Sequence, residues 1–117
     1  MEIPKHKNFI SPQEFESVKE QTLLQLEKDF RLQGINLTVT NRESYYPEIL
    51  AELAKRMSKL DLINSQAGTG IFYQLDIPEQ FITEEVLSRE GIQRYQILAE
   101  AIIRRCFVKV MYRKKFS

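Results

Sequence analysis

Residues 95–117 read "YQILAEAIIRRCFVKVMYRKKFS", and the fold turns on whether this stretch is one helix with a buried side. Advanced by about 100° per residue, Tyr95, Ala99, Ile102, Ile103, Cys106, Phe107 and Val110 fall within an arc of about 140°, the width of a core-facing stripe. Arg104, Arg105, Lys109, Arg113, Lys114 and Lys115 are set among these apolar residues, with no acid after Glu100. On the same wheel Arg104 and Lys115 share a face, Arg105 and Lys109 flank the arc, and Arg113 and Lys114 intrude on it. The core stripe therefore ends near Met111 while the charges run on. Bases at a helix C-terminus are favoured by the dipole alone, by about 0.3 to 1 kcal/mol each at exposed sites, so the stretch is read first as the end of a helix. A sharper reading takes Arg104, Arg105, Lys109, Arg113, Lys114 and Lys115, with Tyr112 and Phe116 interleaved, as an anion or nucleic-acid contact.

The rest of the chain weighs those readings. From Arg94 onward there are 7 bases and 1 acid, and residues 1–93 hold 10 bases and 15 acids, against a net charge of +1. Either the basic part meets an anionic partner or one part of the fold neutralises another. The overall pI near 7.8 lies below the range of a dedicated nucleic-acid domain, and no recognised nucleic-acid motif is present.

Working back from the terminus, "SPQEFESVKEQTLLQLEKDFRLQG" (11–34) carries both ends of a helix. Ser11, Pro12 and Glu14 make an S-x-x-E capping box with proline at the first position, and Gly34 suits the left-handed stop. Phe15, Val18, Thr22, Leu23, Leu26 and Phe30 line one face, predicting a helix over 12–33. "SYYPEIL" opens another, with Pro47 tolerable in the first turn and Ile49, Leu50, Leu53, Met57 and Leu60 as its stripe, over 46–63. Glu52 and Arg56 are spaced to pair across one turn. Thr83 can cap the last helix, with Glu84 and Glu85 at its positive end, over 83–113, and Gly91 can kink or interrupt it.

Two short segments are less decided. "INLTVT" (35–40) alternates apolar and polar residues as a half-buried strand does. Ile71, Tyr73, Leu75 and Ile77 alternate likewise after two glycines, so 35–40 and 71–77 can form a two-stranded β element. The alternative for the second segment is a short helix. The expected fold is mainly α, a single domain over 1–117: a small bundle of three substantial helices with one short extended or helical insertion, and residues 1–10 flexible.

Most chemistry is disfavoured by the counts. His6 is the only histidine and Cys106 the only cysteine, so nucleophilic dyads would depend on one N-terminal residue and no histidine or cysteine metal cluster can be assembled. Cys106 lies on the apolar stripe and reads as a buried structural thiol. The acids lack calcium-loop spacing, and no cofactor motif is present; "GTG" at 68–70 lacks the residues of a phosphate loop and reads as turn glycines. Tyr45 and Tyr46 beside Arg42 could stack on a ligand, but Tyr46 reads as core and Tyr45 as half exposed. Paired carboxylates, Glu84 with Glu85 or Asp76 with Glu79, leave a small enzyme as the third reading. No apolar run follows the basic residues of "MEIPKHKNF" and none is long enough for a membrane helix, which with the single cysteine predicts a cytoplasmic protein without a membrane partner.

"FYQLDIPE" (72–79) followed by "AEAIIRRCFVKVMYRKKF" (99–116) resembles a pattern in small uncharacterised bacterial proteins, an aromatic-Tyr-x-x-Asp segment ahead of a terminal helix with spaced bases. The resemblance implies a small, mostly helical cytoplasmic protein with "IFYQLD" helical, and it carries no activity. The expected function is a non-catalytic interaction or adaptor domain with a protein partner. Three broad apolar helix faces on so short a chain also predict self-association. Nucleic-acid binding through the basic C-terminal helix is the alternative.

Overall fold

The computed structural model describes residues 11–116, so the segment 1–10, expected to be flexible, and His6 within it lie outside the described residues. The architecture is mainly α. Helix α1 spans Pro12–Leu32, α2 spans Tyr46–Lys59, and a 3₁₀ turn at Leu62–Asn64 leads into α3, Gln66–Gln74. A single turn, α4, at Glu79–Phe81 runs into a π-helical turn at Ile82–Val86, and α5 spans Ile92–Phe116.

Helix α1 starts as its sequence dictates, with the Ser11 hydroxyl accepting from the Glu14 amide at 3.0 Å. It ends in a Schellman arrangement: the Gly34 amide donates to the Arg31 carbonyl and the Ile35 amide to that of Phe30, both at 2.9 Å. The same device ends α3, where Asp76 takes the left-handed position at φ 59° and the Ile77 amide reaches the Phe72 carbonyl at 2.8 Å. In α2 the capping box is built on Tyr45 and Glu48, whose carboxylate accepts from the Tyr45 amide at 3.1 Å.

The two-stranded element does not form: among the described residues there is no strand, and 71–74 are helical. Segment 35–40 keeps its alternation, with Leu37 and Val39 buried, but side chains satisfy its backbone in place of a partner strand. The Val39 amide donates to Glu27 Oε2 at 2.8 Å. Arg42 donates to the Val39 carbonyl at 3.1 Å, and Arg56 donates to the Thr38 carbonyl rather than pairing with Glu52. The "GTG" glycines lie inside α3, where Gly68 is needed for close approach: a Cβ there would stand 1.9 Å from the Leu62 carbonyl oxygen.

The last helix begins later than Thr83, which falls inside the π-helical turn. Gly91, at φ +58°, breaks the chain direction there. Arg94 then caps the carbonyls left free before the break, donating to Arg89 at 2.6 Å and to Leu87 at 3.2 Å. From Ile92 onward α5 is the central element, packed on α1 and α2 with Leu98, Ala99, Ile102, Ile103 and Cys106 fully buried. It runs antiparallel to α1, as pairings of Asp29 with Lys109 and of Gln25 with Arg113 show.

Candidate functional site

A carboxylate inside the core organises the inner side of α5. Asp29 falls seven residues after Thr22 on the apolar side of α1 and is 1% exposed, a position a charge occupies only with partners. The antiparallel course of α5 supplies one: Lys109 Nζ lies 3.3 Å from both Asp29 oxygens. Gln25 Nε2 donates to Oδ2 at 3.1 Å and Gln74 Nε2, from α3, donates to Oδ1 at 2.5 Å. The Cys106 thiol completes the set, its sulfur 3.8 Å from Oδ2. Burial pushes that thiol's pKa well above the ordinary range, and the charge of Asp29 pushes it further, against the opposing effect of Lys109. It stays a neutral donor, as its place on the apolar stripe predicts.

The network reaches outward on both sides. Arg113 donates to Gln25 Oε1 at 2.7 Å, and Gln33 Nε2 donates to Gln74 Oε1 at 2.8 Å. Arg105 Nε donates to the Leu75 carbonyl at 2.9 Å, satisfying one of the free carbonyls at the end of α3, and lies 3.7 Å from the exposed Asp76. Arg104 pairs with Glu100 one turn earlier at 3.8 Å. Arg104, Arg105, Lys109 and Arg113 thus have protein partners, and the groups that hold them come from α1, from the residues that end α3, and from α5 itself. Asp29, Gln25 and Gln74 were not among the residues the sequence singled out. The signal was present in part, since an acid at heptad spacing from Thr22 sits on a face otherwise apolar.

The aromatic and basic group at the start of α2 is likewise divided. Arg42 is bound by Glu20, at 2.9 Å, and by Glu27, at 2.5 Å, and these partners raise the Arg42 pKa while Arg42 lowers that of Glu20. Tyr46 packs on Phe15 with ring centroids 4.7 Å apart. Burial, then the nearby Glu100, pushes the Tyr46 phenol upward. Tyr45 stays outside at 78% exposure.

Tyr112, Lys114 and Lys115 lie at the outer side of α5. With Phe107, Val108 and Met111 they line a shallow, largely apolar groove of about 490 Å³ there. Val108 is 42% and Tyr112 61% exposed. Two smaller hollows hold more charged groups. One of about 300 Å³ lies between segment 35–37 and α2 and brings Lys55, Arg56 and Lys59 to the single acid Glu52. The other, of about 240 Å³, joins Asp61 and Asn64 to Arg94 and Tyr95. The Tyr95 hydroxyl accepts from the Ile63 amide at 3.1 Å, which ties the 3₁₀ turn to α5.

Among the described residues no three His, Cys, Asp or Glu side chains come together as metal donors, and no helix is long and apolar enough to cross a membrane. In comparisons with known proteins the chain matches no family, no curated protein and no solved structure.

Proposed function

We propose that this is a non-catalytic, cytoplasmic protein-binding domain whose docking surface is the outer side of the C-terminal half of α5. The apolar groove of Phe107, Val108, Met111 and Tyr112 carries the reading. It lies on a helix whose opposite side is the centre of the core, so the surface is held rigid before any partner arrives and loses little entropy on binding. An exposed valine and tyrosine beside two lysines make an apolar floor with a polar edge, the composition of a docking surface. The internal partners of Arg105, Lys109 and Arg113 favour this over the nucleic-acid alternative, because those three side chains are spent on Leu75, Asp29 and Gln25.

The test is a photoreactive amino acid placed at position 108, and at the half-exposed control position Glu52 on α2, in the source cells. Discrete protein adducts at 108 that are absent at 52 and insensitive to nuclease are the expected result. Equal adducts at both positions, or adducts at 108 removed by nuclease, would overturn the reading.

A further inference from the structure

Opposite its fully buried side, α5 carries a second periodic pattern, whose Ile97, Ala101 and Met111 also pack in part against the edge of the core. Ile97, Ala101, Arg104, Val108, Met111 and Lys115 recur at alternating spacings of four and three, within about 80° of arc at 100° per residue. That is the period of a helix-pairing seam. Val108 is exposed, Ile97, Ala101 and Met111 are half-buried, and Arg104 and Glu100 keep 28% and 41% of their side chains in solvent.

We propose that this seam seats a second copy of the chain, its α5 running antiparallel across a two-fold axis near Ile102. The inference rests on the docking reading above and names the partner. Charge selects both the partner and the direction. In this register Ile97 of each copy meets Val108 of the other, and each Glu100 comes to the other copy's Arg104. The intrachain pair at 3.8 Å then becomes a ring of four alternating charges. Ala101 lies at the crossing, where its small side chain lets the axes approach to about 8–10 Å. Glu90, immediately before α5, comes to the basic end of the other helix at Lys114 and Lys115. A parallel pair would instead stack Arg104 on Arg104 and Lys115 on Lys115 with the helix dipoles aligned. An isologous contact of this kind closes as a dimer, because each copy presents the same face.

The experiment is analytical ultracentrifugation of the full chain as wild type, Val108→Asp, Glu100→Lys, Arg104→Glu, and an equimolar mixture of the last two, with helicity checked by circular dichroism. Wild type should dimerise reversibly, and Val108→Asp should remain monomeric at the same concentration. Each charge variant should dimerise about tenfold more weakly, as two lost pairs and new repulsions imply, and their mixture should recover wild-type affinity because opposite charges then face each other at every contact. Direction is read by mixing Gln93→Cys with Met111→Cys under copper-phenanthroline oxidation: the antiparallel register links the two different variants. Variants that link only with themselves would overturn the antiparallel arrangement. A wild type that stays monomeric to near-millimolar concentration, or a dimer indifferent to Val108→Asp and to both charge variants, would overturn the inference. The docking reading would then stand or fall on the adducts at position 108 alone.

Discussion

The two sides of α5 are built from similar residues and put to different uses. Toward the core, Ile102, Ile103 and Cys106 are fully buried, and the bases Arg105, Lys109 and Arg113 reach the carbonyl of Leu75 at the end of α3 and a carboxylate and an amide of α1. Away from it, Val108 and Tyr112 remain in solvent beside Lys114 and Lys115. A count of charges cannot separate these groups, since Lys109 and Lys114 differ in where they fall along and around the helix and in what α1 places opposite. Position relative to Asp29, along the helix as well as around it, decides that Lys109 belongs to the fold.

The largest effect sharpens this contrast directly. Ile103→Ala should cost about 2 to 5 kcal/mol in denaturant unfolding, the range for a fully buried aliphatic truncation, whereas Val108→Ala should change stability by less than about half a kcal/mol. Similar losses at both positions would mean that α5 is buried all round. A smaller effect is expected where α3 supports the inner side. Gly68→Ala forces a methyl against the Leu62 carbonyl and should cost about 1 to 3 kcal/mol, as overpacking does. A variant with unchanged Tm would show that α3 is not pressed on the 3₁₀ turn, and the delivery of Gln74 to Asp29 would lose its explanation.

The third effect is absent at neutral pH and grows in alkali. Cys106 ionises far less readily in the folded chain than in the unfolded one. Below the unfolded thiol pKa of about 8.5 both states hold the proton and stability is unaffected; above it the unfolded state alone loses the proton, so stability falls as pH rises. Unfolding midpoints measured from pH 7 to pH 10 should decline more for wild type than for Cys106→Ala. Parallel profiles would place the thiol in solvent.

Much of this plan was legible in the sequence for a physical reason: α1, α2 and the buried arc of α5 are set by local periodicity and caps, and Ser11, Pro47 and Gly34 act within one turn of themselves. The insertion was not, because Gly68 and Gly70 punctuate a sequence in the same way whether they end a loop or let a helix touch Leu62 and Gln33. Gly91 was read as a kink or interruption, and its left-handed conformation makes it the interruption. The Asp29 network was hidden because its members lie in α1, α3 and α5, far apart along the chain. The opposite charge balances of the two parts of the sequence indicated that such neutralisation was available, but not which acid met which base.

Lys109 belongs to the fold through Asp29, and a double-mutant cycle measures that pairing. Unfolding free energies of wild type, Asp29→Asn, Lys109→Met and the double variant should give a coupling of about 1 kcal/mol or more, since the two groups share one buried hydrogen-bonded network. A coupling within about 0.3 kcal/mol of zero would contradict it and return Lys109 to the solvent-facing bases.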